Sequence, residues 1–184
     1  MQKVSRTDWD AAATRLLEDV YAFAVTGPRT HPDWQNDALA VLNRTAYDPR
    51  GWLTLDPDKA AEAEKSHGAS FPFLTLSRGS LAERLFPITP ETAARLLVTM
   101  TYEWGPIGRE EDAQDRFDDA WTVLQRYGDN LECYSNITAA RTSSSPDLTA
   151  GVTGWLPLTE YDGDFGIVVV SSAEVGVFWS FNPI

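Results

Sequence analysis

Cysteine is almost absent from this chain of 184 residues: Cys133 is the single thiol, so no intramolecular disulfide can form. Histidine is nearly as scarce. With only His31 and His67 to add to that thiol, the thiolate and imidazole clusters that hold zinc or another soft metal cannot be assembled, and neither a metal nor a cofactor is expected. Basic residues are few as well. The 15 Lys and Arg stand against 27 Asp and Glu, a formal net charge of −12. With a pI near 4.5, the chain has the wrong sign for a phosphate backbone, and nucleic acid is not an expected partner. No stretch approaches the roughly 18 uncharged apolar residues of a membrane span, and the opening MQKVSRTDWD holds no apolar core of a signal peptide. A reducing, cytoplasmic setting away from membranes is the expectation. The sequons at Asn43 and Asn136 would then carry no sugar.

What is present suits one globular domain over residues 1–184: 43% of the residues are hydrophobic and 11% aromatic, enough for one sizeable core. A first helix is signalled by Thr7 or Asp8 as N-cap, then Trp9, Ala12, Ala13, Leu16, Leu17, Val20 and Tyr21 at spacings of three and four; it should run to about Val25. A short helix over Trp34–Asn43 and a strand in GWLTL (51–55) follow, and Asp56-Pro57 opens a polar helix ending near Gly68. FPFLTL (71–76) reads as a strand and Ser80 to Glu83 as the capping box of a brief helix to Phe86. Thr89-Pro90-Glu91 launches a helix with Ala93, Leu96, Leu97, Met100 and Trp104 facing inward.

The clearest helix spans Glu110 to about Tyr127. At about 100° per residue, Ala113, Phe117, Ala120, Trp121 and Leu124 share one arc, and Glu111, Asp112, Asp115, Asp118 and Asp119 the opposite one. After it come four strand-like segments: LECYSNIT (131–138), GVTGWLPLT (151–159), FGIVVVS (165–171) and EVGVFWSF (174–181), with TSSSPDLTAG (142–151) as the most mobile loop. The last two should pair as a hairpin through Ser171–Ala173. The fold class is therefore α+β: helices in the first two thirds, packed on a largely antiparallel sheet formed mainly by the C-terminal third.

The cluster Glu160, Asp162, Asp164 invites a catalytic or calcium reading. Counting an EF-hand loop from Asp162 puts Gly166 at position 5 and Ala173 at position 12, where oxygen ligands are required, so the match fails. Asp162-Gly163-Asp164 reads instead as a turn joining two strands. Asp164-Phe165-Gly166 spells the magnesium tripeptide of kinases without any of the accompanying loops. Neither histidine sits in a setting that suggests a catalytic base, and both read as surface loop residues. Cys133, between Glu132 and Tyr134, reads as a small buried hydrophobe.

Charge is distributed unevenly. Residues 1–104 carry 14 acids and 11 basic residues (−3), residues 105–184 carry 13 and 4 (−9), and no Lys or Arg follows Arg141. A negative field on one half steers basic partners. In general character, as a small, acidic, cysteine-poor, tryptophan-rich α+β protein, the chain resembles bacterial immunity proteins, which block a toxin's active site. That resemblance implies a non-enzymatic, cytosolic interaction protein of immunity or antitoxin type. Its basic protein partner would be met by Glu111, Asp112, Asp115, Asp118 and Asp119. The alternative is a small enzyme or ligand-binding domain whose carboxylate and aromatic pocket draws on Trp155, Tyr161, Asp162 and Asp164.

Overall fold

Residues 4–53 and 70–182 are described by the structure, a computed structural model. The helix expected between Asp56 and Gly68, with His67, lies outside them. Helix α1 (Arg6–Leu17) is capped two or three residues earlier than Thr7 or Asp8, by Ser5, whose hydroxyl accepts from the Asp8 amide. It also ends earlier than its apolar spacing implies. Residues Ala22–Pro28 form strand β1 and not a helical continuation to Val25. The reason is tertiary: Ala22, Phe23 and Ala24 are all buried, and a strand covered on both faces satisfies such a run where one helix face cannot.

The remaining elements are helix α2 (Trp34–Leu42), strand β2 (Arg50–Leu53), helix α3 (Arg78–Ala82), strand β3 (Phe86–Ile88) and helix α4 (Pro90–Met100). A 3-10 turn over Glu110–Ala113 leads into helix α5 (Gln114–Gln125), followed by strands β4 (Glu132–Ser135), β5 (Gly163–Val170) and β6 (Glu174–Asn182). The capping box of α3 is closed by Ser77 and Ser80, and Thr89 caps α4 with Pro90 at its first position. Two expected strands do not form. Segment 71–76 and segment 151–159 each contribute only single bridges, Phe73 to Thr159 and Trp155 to Ile137. Trp104, expected on the inner face of α4, lies beyond its end in a turn where both Glu103 and Trp104 have positive φ, 50° and 66°.

One six-stranded antiparallel sheet, ordered β2-β1-β6-β5-β4-β3, divides the protein, and the α+β class stands. Strand alternation sorts the core into two clusters. Ala24, Phe165, Ile167, Val169 and Phe178 face α1, α4 and α5 on one side. Phe23, Val168, Val170, Val175, Val177, Trp179 and Phe181 face α2, α3 and the 71–76 and 158–161 segments on the other. The expected hairpin of β5 and β6 is present, closed by Ser171, whose amide donates to the Glu174 carbonyl. Trp179 is wholly buried and its ring lies across Gly166 of the neighbouring strand. A Cβ at Gly166 would stand 2.2 Å from the Phe178 carbonyl oxygen and 2.4 Å from Trp179 Cε3, so only glycine fits.

The 142–151 segment is pinned to the body. The Ser144 carbonyl accepts from the Thr89 amide and the Thr92 hydroxyl, and Leu148 is buried.

Candidate functional site

Helix α5 packs against α1 with one flank and α4 with the other, burying Ala120, Val123 and Leu124. The acidic stripe, expected on one helix from Glu110, is divided between the 3-10 turn, with Glu111 and Asp112, and α5, with Asp115, Asp118 and Asp119. Glu111, Asp112 and Asp115 are exposed and have no salt-bridge partner among the described residues. Asp118 is exposed and accepts a 2.8 Å hydrogen bond from Gln114 Nε2. Asp119 differs: it lies on the flank facing α1, where the Arg15 guanidinium grips its two oxygens at 2.5 and 3.1 Å. That hydrogen bond and charge pairing raise the Arg15 pKa above its ordinary value. Asp119 thus joins α1 to α5, while the other four acids remain open to solvent.

Beside this stripe a groove of about 320 Å³ runs between α4 and α5, lined by Glu91, Ala94, Arg95, Gln114, Phe117 and Trp121. Phe117 and Trp121 are only partly buried, and the Arg95 guanidinium lies 5.9 Å from the Phe117 ring centroid. The sequence carried a signal for this. Trp121 is seven residues from Gln114 and so falls about 20° from it on the helix wheel, at the border between the apolar and polar arcs. The Gln114–Asp118 hydrogen bond links the groove lining, with its two partly exposed rings, to the acidic stripe.

The alternative pocket does not assemble. Trp155 packs edge-on against Trp104, centroids 5.3 Å apart, in the cluster on the α1/α4/α5 side of the sheet. Tyr161 belongs to the opposite side, against Tyr21, Phe71 and Phe181. Asp162 is exposed. Asp164 is not part of a turn but the second residue of β5, with 0% exposure, and its carboxylate is filled from within. It accepts from the Leu158 amide (3.1 Å), the Thr159 amide and hydroxyl (2.8 and 2.6 Å), Trp179 Nε1 (3.0 Å) and Asn136 Nδ2 (3.2 Å). Its acid group fastens the 158–161 segment and β6 to the end of β5. The local Asp-Gly turn signal is overridden because this tertiary nest supplies better partners than solvent does.

Cys133 is buried, as expected, and burial together with the Glu91 charge pushes its thiol up to about 12, far from nucleophilic use at neutral pH. His31 was expected as an unremarkable loop residue, yet its Nδ1 lies 2.7 Å from Asp37 Oδ1. Asp37 Oδ1 also accepts from the Thr30 amide and hydroxyl, and Oδ2 takes Arg29 Nε at 2.8 Å. Burial alone would raise the Asp37 pKa; the bonds from His31, Thr30 and Arg29 outweigh it and hold the carboxyl below its ordinary value. The result ties α2 to the end of β1, apart from the α4/α5 groove.

A larger cleft, about 600 Å³, opens where the C-terminal ends of α1 and α4 meet β6. Among the described residues no group of three or more His, Cys, Asp or Glu is placed to hold a metal ion, and no helix is long and apolar enough to cross a membrane. Comparison with protein-family models, curated proteins and solved structures found no match.

Proposed function

We propose that the chain is a non-enzymatic interaction protein of immunity or antitoxin type, binding a basic protein partner through the outer face of α5 and the α4/α5 groove. The observation that carries this reading is that α5 presents Phe117 and Trp121, partly exposed in the groove, together with the exposed Asp115 and Asp118, and the turn leading into it adds the exposed Glu111 and Asp112, none of these four acids ion-paired among the described residues. Protein interfaces concentrate affinity in a few aromatic anchors set in a groove, with charge at the rim steering encounter. The same helix supplies both. Asp119 is left out of the binding set because Arg15 holds it.

Capture from the source cell with the wild-type protein, in parallel with an Asp115→Asn/Asp118→Asn/Trp121→Ala variant, tests the proposal. A basic protein retained by the first and lost by the second supports it; equal retention by both removes this face from the interaction. A toxin encoded beside this chain would specify the immunity version.

A further inference from the structure

The 600 Å³ cleft is bordered by charges of both signs, and among the described residues only Arg15 of these has a salt bridge. Arg116 of α5 reaches it with a guanidinium whose protein partner is Tyr102, through a 3.0 Å bond to the hydroxyl and a position 4.9 Å from the ring centroid. Among the described residues Arg116 has no salt-bridge partner, although the protein has acids in excess. Asp19, just past α1, and Glu103, in the left-handed turn after α4, border the same cleft, both exposed and also without a salt bridge among the described residues. Between these charges the wall is mixed, with Thr101, Ser180 and Asn182 beside Met100, Trp104 and Phe181.

Arg15 also lines the cleft but is held by Asp119, so Arg116 is its cation with no salt bridge among the described residues, in one cleft with two carboxylates in the same condition; a zwitterion can bridge charges placed in this way. We infer that this cleft binds a small amphoteric molecule of amino-acid or short-peptide type: its carboxylate on Arg116, its ammonium on Asp19 and Glu103, its side chain on Trp104, Met100 and Phe181. The volume lies within the roughly 300–1,000 Å³ range of small-molecule sites, and polar groups beside the Trp104 ring give such a ligand both kinds of contact. The consecutive positive φ values of Glu103 (50°) and Trp104 (66°) fit the same reading, since non-glycine residues are held in that region where surroundings over-determine them. Trp104 is fixed by its Nε1 bond to the Ser180 hydroxyl at 2.8 Å, so the floor is preformed. The site lies on the face of α5 opposite Asp118, because residues two apart on a helix point about 200° from one another. Its lining shares no residue with the α4/α5 groove.

Titration calorimetry with L-phenylalanine and with alanyl-phenylalanine tests the inference, each probe set against its N-acetylated and C-amidated forms. We expect one-to-one binding of at least one of the free zwitterions, weakened about tenfold or more by either cap, as loss of one charge-assisted contact implies. Arg116→Gln should reproduce the effect of amidation and Glu103→Gln that of acetylation, each with an unchanged circular dichroism spectrum; the two variants touch opposite ends, so misfolding of one leaves the other to decide. Absence of heat with both free probes up to about 10 mM, or equal binding of capped and free forms, would overturn it. The two probes distinguish a single amino acid from a peptide terminus.

Discussion

Asp164 and Cys133 show how much a residue's surroundings override its type. A carboxylate with no solvent contact and donors on every side is an acceptor site that an amide cannot replace, because an Asn would turn its own N–H groups toward other donors. Asp164→Asn should therefore lower stability by about 2 kcal/mol or more in urea unfolding; a change within experimental scatter would mean that the site is not held by charge. Trp179→Ala removes both the ring over Gly166 and one of those donors, and should cost on the order of 3–5 kcal/mol, whereas Trp179→Phe should lose chiefly the donor's share. Cys133, with its thiol pushed up to about 12, should stay unmodified by a thiol reagent at pH 8 in the native protein and react fully once unfolded. Prompt labelling of the folded chain would contradict its burial. The burial of Cys133 and Trp179 was legible from their strand phase. The role of Asp164 was not, because its donors come from positions 136, 158, 159 and 179, which only the fold brings together.

Among the elements, α5 could be read from sequence and β1 could not, for one physical reason. A one-sided helix writes its own period of about 3.6 into the chain, whereas a strand buried on both faces is a bare apolar run, and Tyr21–Val25 continues the spacing of α1 without a glycine or proline to break it. The four open carboxylates of α5 and the turn leading into it make a prediction about rates. Asp115→Asn/Asp118→Asn should slow association with the true partner and flatten its salt dependence while leaving the melting temperature nearly unchanged, since exposed acids steer encounter more than they hold a core. Stopped-flow traces that superimpose on wild type would reduce the stripe to a solvated face. The junction of β1 and α2 behaves in the contrary way. Asp37 has its carboxyl held below the ordinary 3.8, so the folded state binds fewer protons there than the unfolded chain. The stability it contributes is complete above about pH 4 and drains away as pH falls through the depressed folded value. Asp37→Asn should flatten the acid limb of a stability-against-pH curve and, by leaving Arg29 without its counter-charge, cost about 3 kcal/mol at neutral pH. An acid limb identical to wild type would show that the junction does not titrate.

At the scale of the molecule, the sequence disclosed the class of architecture and the β5–β6 hairpin, both carried by local patterns; strand order across the sheet is a property of distant pairings and was not readable. Charge segregation was readable, and the fold concentrates much of it on one helix. The order β2-β1-β6-β5-β4-β3 places the strand nearest the C-terminal end of this chain, residues 174–182, between the strand nearest its start and the meander of the later half. While a ribosome still holds that segment in its exit tunnel, the emerged chain has two half-sheets, β2-β1 and β5-β4-β3, with no shared seam. Each exposes an apolar edge to whatever is nearby, and long-range pairing of this kind is slow to close. Nascent chains arrested with residue 173 just outside the tunnel should therefore be cut readily by protease and recruit chaperones, and extension past residue 182 should bring protection in a single step.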